Sequence, residues 1–209
     1  MAEEKNMNPE SFDQDSVMIY IDPKVLNSLN DMAEKKQEDL KALQAAAEDG
    51  DLDAQYRLGR SYYYGDDGAP QDGERAFEWF SRAAEGGSIA GQHYLGLCWL
   101  RGIGVEKDMA RGAEVLADAA AEGYPPAQCE LGLCYELGHG VEMDKGRAAE
   151  LYQEAADQDY APAQCNLGYF YYQGIYFEEN NDMAAELFAK SAQQGYPRAQ
   201  VLMGECFEN

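Results

Sequence analysis

Apolar residues recur at helical spacing along most of the chain, and the pattern itself repeats. Each copy starts with a small residue and a glutamine, reaches a Leu-Gly or Met-Gly pair three residues later, and has an aromatic residue three positions after that glycine. The glutamines stand at positions 55, 92, 128, 164 and 200, so the interval is 37 residues once and 36 residues three times. Spacings of three and four place such residues on one face of a helix, and a fixed period of this length in a helical pattern is typical of a solenoid. We therefore predict an all-α fold of stacked helical units.

Each unit divides into two helices. The first helix carries the small, Leu-Gly and aromatic positions, and a glycine-rich turn follows it. The second helix begins at a residue whose side chain can accept from free backbone N–H groups, namely Asp72, Asp108, Asp144 or Asn180. It ends at a pair of small residues, followed by a glycine or Asp159 in the left-handed position that stops a helix. The pattern thus predicts antiparallel helix pairs at about 54–90, 91–126, 127–162 and 163–198, and a half repeat at 199–209.

The fourth turn and the amino-terminal region depart from this pattern. Ile175-Tyr176-Phe177 replaces the glycine-rich turn of the fourth unit, so we expect a different turn and exposed aromatic surface there. Residues 1–22 form an acidic tail with a short apolar segment at 16–21, which either lies against the first helices or belongs to a preceding segment. Residues 23–53 are predicted to cap the solenoid as one long helix or two short ones, beginning with Asp22 as N-cap and proline at the first helical position.

The repeated motif resembles a known family. Its residues read Ala-Gln-x-x-Leu-Gly-x-x-Tyr-x-x-Gly-x-Gly-Val, then Asp, then Ala-Ala-x-x-Gly-Tyr, and they resemble the Sel-one-like repeat (SLR) family, which is related to the tetratricopeptide repeats. The resemblance runs from about residue 40 to residue 209. It implies a right-handed α/α superhelix whose first helices line a concave face, in proteins that mostly act as adaptors. The motif residues of the family are structural, so the resemblance assigns no catalytic residue.

The net charge narrows the choice of partners. The chain has 39 acidic and 16 basic residues, a net charge of −23 and a pI near 4.2. Such a surface repels nucleic acid and anionic membranes, and favours a basic partner or simply solubility. No apolar run approaches the roughly 20 residues that span a bilayer, and the first residues lack a secretory signal. The protein is therefore expected to be cytoplasmic if residue 1 is the natural start.

Cysteines and histidines follow the repeat register rather than a metal-binding spacing. Five cysteines fall into two register positions, Cys98, Cys134 and Cys206 in one and Cys129 and Cys165 in the other. We expect them to be reduced, buried packing residues. No Cys-x-x-Cys occurs and the two histidines are His93, in a packing position, and His139, in a solvated turn, so no metal site or cofactor is expected.

Catalysis is not predicted. A catalytic site needs a nucleophile, a base and an orienting group in one pocket, and neither these residues nor a phosphate-binding glycine motif can be recognised in the sequence. Some cysteine-rich SLR proteins are described as β-lactamases, which keeps a similar activity as a weak alternative. Those proteins form a disulfide between two cysteines within each repeat, whereas no pair of cysteines recurs in the repeats of this chain. We interpret the chain as non-enzymatic.

Partner binding is the principal functional hypothesis. Packing uses the motif positions of a solenoid, so contacts with a partner fall on variable positions of the first helices. Residues spaced by four and seven are expected to share the concave face: Arg57 with Ser61 and Tyr64, Tyr94 with Cys98 and Arg101, Glu130 with Cys134 and Leu137, and Asn166 with Phe170 and Gln173. The predicted partner-binding residues are Arg57, Tyr64, Tyr94, Arg101, Glu130, Leu137, Asn166 and Gln173. A groove that combines aromatic, charged and apolar side chains suits a peptide or a helix of another protein, and a basic partner is one candidate.

Two alternatives remain open. Residues 199–209 supply a first helix with no second helix after it, and their apolar side chains could join two chains end to end as a homodimer: Val201, Leu202, Met203, Cys206 and Phe207. A weaker alternative is an acidic mimic of nucleic acid, which predicts salt-sensitive binding to a basic protein.

Overall fold

The computed structural model describes the backbone of residues 22–208 and the side chains of residues 22–204. Within that range the chain is built from ten helices: α1 (Pro23–Glu48), α2 (Leu52–Tyr64), α3 (Gly73–Glu85), α4 (Ile89–Arg101), α5 (Met109–Ala121), α6 (Pro125–Leu137), α7 (Lys145–Ala156), α8 (Ala161–Tyr172), α9 (Asn181–Gln193) and α10 (Pro197–Glu208). The predicted tail and the apolar segment at 16–21 lie outside the described residues.

Side-chain caps fix where the helices begin. Each second helix starts after a residue whose side-chain oxygen accepts from the backbone N–H three positions later, at 3.0–3.1 Å, and these residues are Asp72, Asp108, Asp144 and Asn180, as predicted. Each first helix begins two residues before the predicted Ala-Gln start. The reason is an earlier cap at Asp51 and at Ser88, and a proline at the first helical position in α6 and α10.

The two helices of each pair pack closely because a glycine in the first faces a large side chain in the second. A Cβ atom at Gly132 would lie 2.8 Å from the ring of Tyr152, and one at Gly59 would lie 2.7 Å from the ring of Phe80. Both rings are fully buried. The glycine costs about 1 kcal/mol of helix propensity relative to alanine, and burial of the facing aromatic side chain offsets it. The fold is therefore a right-handed α/α solenoid of antiparallel pairs.

Neighbouring helix pairs contact each other through the turns that follow the first helices. The backbone of Gly140, in the turn after α6, lies directly against Met109 at the start of α5, and Gly104 lies in the same way against Gly73 at the start of α3. In the fourth unit Tyr176 takes this place with φ 66°. Its ring packs on Gly146 of α7 and remains 63% exposed. The expected aromatic surface is thus present at this turn.

The helix α1 is twice as long as the other helices and only half of it is packed. Its second half covers α2 through the buried residues Leu40 and Ala47. The amide of Gln44 donates to the hydroxyl of Tyr62 at 2.9 Å. Its first half carries four apolar side chains that are 47–57% exposed, Val25, Leu26, Leu29 and Met32. Where the sequence left open one helix or two, the structure has one.

Candidate functional site

The first helices of successive pairs touch each other directly. The hydroxyl groups of Tyr64 in α2 and Tyr94 in α4 lie 3.3 Å apart, and the guanidinium of Arg101 in α4 lies 3.7 Å from the carboxylate of Glu130 in α6. Such contacts place α2, α4, α6, α8 and α10 along one side of the stack, the side that the family resemblance predicts to be concave. We call their solvent-facing side chains the inner face.

Tyrosines cover the amino-terminal part of the inner face. The ring of Tyr94 stacks on the buried Phe80 with centroids 4.9 Å apart, and it meets the ring of Tyr56 at 5.7 Å and that of Tyr63 at 5.6 Å. Burial, followed by the hydrogen bond to Tyr64, raises the pKa of Tyr94 well above its usual range. The hydroxyl group of Tyr94 is therefore a neutral hydrogen-bonding group at physiological pH.

Two arginines border the tyrosine cluster in different ways. The guanidinium of Arg60 lies 5.9 Å from the ring centroid of Tyr56 and 5.8 Å from that of Tyr64, within the range of cation–π attraction. The guanidinium of Arg101 donates to the hydroxyl of Tyr63 at 3.1 Å, besides facing Glu130. Burial raises the pKa of Glu130, and the charge of Arg101 opposes that rise. Arg101 is thus held on both sides, whereas Arg60 contacts the tyrosines Tyr56 and Tyr64 and forms no ion pair with a carboxylate of the described residues.

Tyrosines that precede the first helices continue the inner face. They are the N-cap residues of α6 and α8 and the residue before α10, Tyr124, Tyr160 and Tyr196, and each is half-buried. The ring of Tyr124 lies 5.6 Å from that of His93, and burial raises the pKa of all three phenols. At the carboxy-terminal end, Arg198 donates to the amide oxygen of Asn166 at 2.9 Å. The strip of tyrosine and arginine therefore extends from α2 to α10.

Comparison with known proteins matches this architecture. The Sel1 repeat family model matches residues 52–88, 89–124, 125–160 and 161–196. The chain belongs to the Sel1 repeat family. The matched segments coincide with the four helix pairs α2–α3, α4–α5, α6–α7 and α8–α9, so the predicted resemblance and the predicted solenoid are both confirmed.

Solved structures and a curated protein add relatives within the Sel1 repeat family. A Sel1 repeat protein from Oxalobacter formigenes is 29% identical, with a TM-score of 0.74 over 87% of this chain and 74% of the other. The protective antigen c5321 of uropathogenic Escherichia coli, described as displaying an SLR fold, is 33% identical, with a TM-score of 0.67 over 83% of this chain and 37% of the other. The Arabidopsis thaliana protein HRD3A, a component of an ERAD-associated E3 ubiquitin-protein ligase, is 33% identical over 70 residues, which are 34% of this chain. The match spans only 10% of that relative's length.

The structure brings together some of the predicted binding residues of this Sel1 repeat chain. Tyr64 meets Tyr94, Arg101 meets Glu130, and Asn166 meets Arg198. Arg57 instead pairs with Asp53 on its own helix at 3.7 Å and lines a groove of about 480 Å³ between α1 and α2. Leu137 and Gln173 are exposed at the ends of α6 and α8. Their role in binding stays a prediction.

The middle residue of each predicted triplet is buried, which corrects the expected face. These residues are Ser61, Cys98, Cys134 and Phe170, all at most 2% exposed. A residue four positions on is rotated by about 40° around the helix, whereas one seven positions on is rotated by about 20° in the other direction. The first rotation turns the side chain beneath the second helix of the pair. Residues at spacings of three, such as Arg57 and Arg60, share the exposed side instead.

The sequence interpretation missed several inner-face residues. The missed residues are Tyr56, Arg60, Tyr124, Tyr160, Tyr196 and Arg198. Three of these tyrosines stand at intervals of 36 residues, directly after or near the glycine that ends each second helix. That interval was a usable signal, because the ring of Tyr124, which precedes α6, contacts His93 on the neighbouring first helix α4.

The cysteines are packing residues, as predicted. Cys98, Cys129, Cys134 and Cys165 are buried free thiols. Burial raises the pKa of Cys98, Cys129 and Cys134 to about 12, so these thiols are not nucleophilic at neutral pH. The side chain of Cys206 lies outside the described residues. Among the residues that the structure describes, no group of three or more His, Cys, Asp and Glu residues could hold a metal ion.

The buried histidine occupies a packing position, as expected. His93 is 7% exposed and lies between the rings of Tyr94 and Tyr124. Neither of its ring nitrogens has a hydrogen-bond partner within the described part of the chain. Burial, and secondly the charge of Arg101, lower the pKa of His93 to about 4. The imidazole is therefore neutral at physiological pH.

Helices in residues 22–208 are each too short or too polar to span a bilayer. The cytoplasmic location stays a prediction.

Proposed function

We propose that this chain is a non-enzymatic interaction scaffold that holds a peptide or a helix of a partner protein against its inner face. The observation that carries the proposal is the strip of tyrosine and arginine side chains that extends over the first helices from α2 to α10. Tyrosine and arginine are the residue types enriched at binding hot spots. The motif residues of the Sel1 repeats are buried between helices. This packing leaves the tyrosine and arginine side chains of the inner face available for recognition.

The cluster around Tyr94 is well suited to binding because its side chains are already ordered. The ring of Tyr94 contacts Tyr56, Tyr63, Tyr64 and Phe80. A side chain that is held in place before binding loses little conformational entropy when a partner arrives. The cluster therefore offers a large amphipathic surface at a low entropic cost.

The relatives support an assembly role. HRD3A is described as a component of a ubiquitin-protein ligase, so one relative with similar repeats works within a protein complex. The match covers a small part of that protein, and the proposal for this chain therefore rests first on its own inner face.

Two matched triple variants test the proposal. The inner-face variant is Arg57→Ala, Tyr64→Ala and Leu137→Ala, whose side chains are 62%, 52% and 47% exposed. The control variant changes the same kinds of side chain elsewhere, Arg147→Ala, Tyr176→Ala and Met183→Ala, which are 47%, 63% and 39% exposed. We expect affinity capture from an extract of the source cells to recover a protein with the wild type and the control. Recovery by the inner-face variant is expected to fall by about tenfold or more.

Circular dichroism and thermal unfolding establish that both variants are folded. Equal recovery by the two variants would contradict the proposal, because binding would then not depend on the inner face.

Self-association is the second candidate from the sequence. In α10 the side chain of Val201 is 64% exposed, and Leu202 and Met203 are half-buried against the last core cluster. This end of the described chain could accept another helix. End-to-end pairing, a basic partner and mimicry of nucleic acid all stay predictions.

A further inference from the structure

The inner face differs in charge from the rest of this acidic chain. The helices α2, α4, α6 and α8 contain only three of its 39 acidic residues, Asp53, Glu130 and Glu136. The four second helices contain nine, and more stand in the turns. On the same four first helices three arginines, Arg57, Arg60 and Arg101, equal the carboxylates in number, whereas the second helices carry four arginines and two lysines against their nine carboxylates. A partner at the inner face therefore meets first helices without the excess of carboxylate that the second helices carry.

The three carboxylates of these helices are already engaged. Asp53 lies 3.7 Å from Arg57, Glu130 lies 3.7 Å from Arg101, and Glu136 accepts from the hydroxyl of Tyr152 at 2.6 Å. Two of these carboxylates face an arginine and the third accepts from a neutral phenol, so all three have partners within the chain. These contacts leave no surplus of carboxylate there to attract a basic partner.

Arg60 is an inner-face cation without a carboxylate partner among the described residues, and so is Arg198, which donates to the amide oxygen of Asn166. No carboxylate of the described residues forms an ion pair with the guanidinium of Arg60, which rests on the rings of Tyr56 and Tyr64. A guanidinium has five N–H donors along its edge. Contact with aromatic rings covers its faces and leaves donors available along that edge. Arg60 thus presents an unpaired charge with open hydrogen-bonding positions.

The neighbouring hydroxyl groups supply one more donor. Tyr64 and Tyr94 share a hydrogen bond between their hydroxyl oxygens at 3.3 Å. Two hydroxyl groups carry two protons, and their mutual bond uses one, so the pair has one O–H left to donate. Both rings adjoin the Arg60 cluster. The guanidinium and the hydroxyl pair thus offer donors beside the same ring of Tyr64, and a carboxylate has two oxygens that can accept from them.

We propose that the partner carries an acidic side chain, glutamate or aspartate, that docks on Arg60 and on the hydroxyl pair of Tyr64 and Tyr94. This inference rests on the proposed function and names the chemistry of the partner. It reverses the basic partner that the net charge of the whole chain suggested. Long-range repulsion from that net charge is screened beyond about 8 Å at physiological ionic strength, so a short acidic segment can reach the site.

A peptide array tests this assignment with the full chain. Each spot carries a twelve-residue peptide in four versions, with Glu-Glu, Gln-Gln, Lys-Lys or a phosphoserine pair at the centre and identical uncharged flanks. We expect the wild type to bind Glu-Glu versions about tenfold more strongly than their Gln-Gln counterparts, because hydrogen bonds to a charged group are stronger than neutral ones.

Two substitutions locate the charge preference. Arg60→Gln is expected to abolish it, and Arg60→Lys to retain only part of it, because lysine keeps the charge without the planar fork. Arg147→Gln, on the second helix α7, is the matched control and is expected to keep the full preference.

Several outcomes would overturn the assignment. They are equal binding of the Glu-Glu and Gln-Gln versions, preference for Lys-Lys, preference for phosphoserine, absence of binding, and a glutamate preference that survives Arg60→Gln. None of these changes the comparison of the inner-face and control triple variants. If that comparison also shows no difference, the proposed function fails as well, so the two failures can be distinguished.

Discussion

Replacing Gly140 by alanine is expected to lower the free energy of unfolding by about 2 to 5 kcal/mol. Gly140 has φ 76°, a left-handed conformation that costs other residues about 1 to 2 kcal/mol. A Cβ atom there would also overlap the carbonyl oxygen of Met109, which belongs to the preceding helix pair. Overpacking of this kind typically costs a further 1 to 3 kcal/mol. The overlapping atom belongs to the backbone of a helix, so it cannot move aside as a flexible side chain would. The substitution forces the second and third pairs apart.

Gly138→Ala is the matched control in the same turn. Gly138 has φ 70°, so alanine pays the same conformational cost, but its nearest neighbours are at the ordinary distance of 3.7 Å. We expect this variant to lose only about 1 to 2 kcal/mol. Urea unfolding followed by far-UV circular dichroism measures both variants. Because each pair contacts only its neighbours, Gly140→Ala should also broaden the transition, and equal losses in the two variants would refute the role given to this contact.

Acidification is expected to weaken the fold through His93. The pKa of His93 is about 4 in the folded chain and about 6.5 when unfolded. Between these values the unfolded chain binds a proton that the folded chain does not, so the free energy of unfolding falls as the pH falls. From about pH 7 to about pH 5 the contribution of this residue amounts to a loss of about 2 kcal/mol. These conditions stay above the pI near 4.2, where a net charge near zero promotes association.

His93→Cys isolates this effect. Cysteine stands at the same register position in the third and fourth units, as Cys129 and Cys165, so the change suits the packing. The surface carboxylates titrate alike in both proteins. We expect the unfolding free energy of the wild type to fall by about 2 kcal/mol more than that of His93→Cys over this pH range. Parallel pH profiles for the two proteins would show that His93 does not titrate differently on folding.

The repeat period predicted the fold because the same residues recur where the same packing recurs. Gly59 and Gly132 each face a buried ring, and Asp72 and Asp108 each cap a second helix. Such contacts lie within one pair and depend on local spacing. Sequence spacing is therefore sufficient to place them.

The inner face was predicted only in part because it depends on how neighbouring pairs are rotated. Spacing alone did not distinguish the buried Cys98 from the exposed Arg60. Both residues lie near the helix side that the spacings of four and seven predicted to be concave. The contacts between Tyr64 and Tyr94 and between Arg101 and Glu130 join different units. Net charge was also a poor guide, because it averages over surfaces whose local charges differ.

Site-specific photo-crosslinking tests the central claim most directly, namely that a partner protein lies on the inner face. A photoreactive phenylalanine analogue replaces Tyr64 or Leu137 on the inner face, or Tyr176 or Met183 elsewhere, all of them exposed positions. Irradiation in an extract of the source cells is expected to join a partner protein to positions 64 and 137 and not to positions 176 and 183. A product of twice the chain's mass would identify self-association instead. Adducts that form equally at all four positions, or only at positions 176 and 183, would contradict the assignment of the inner face as the binding surface.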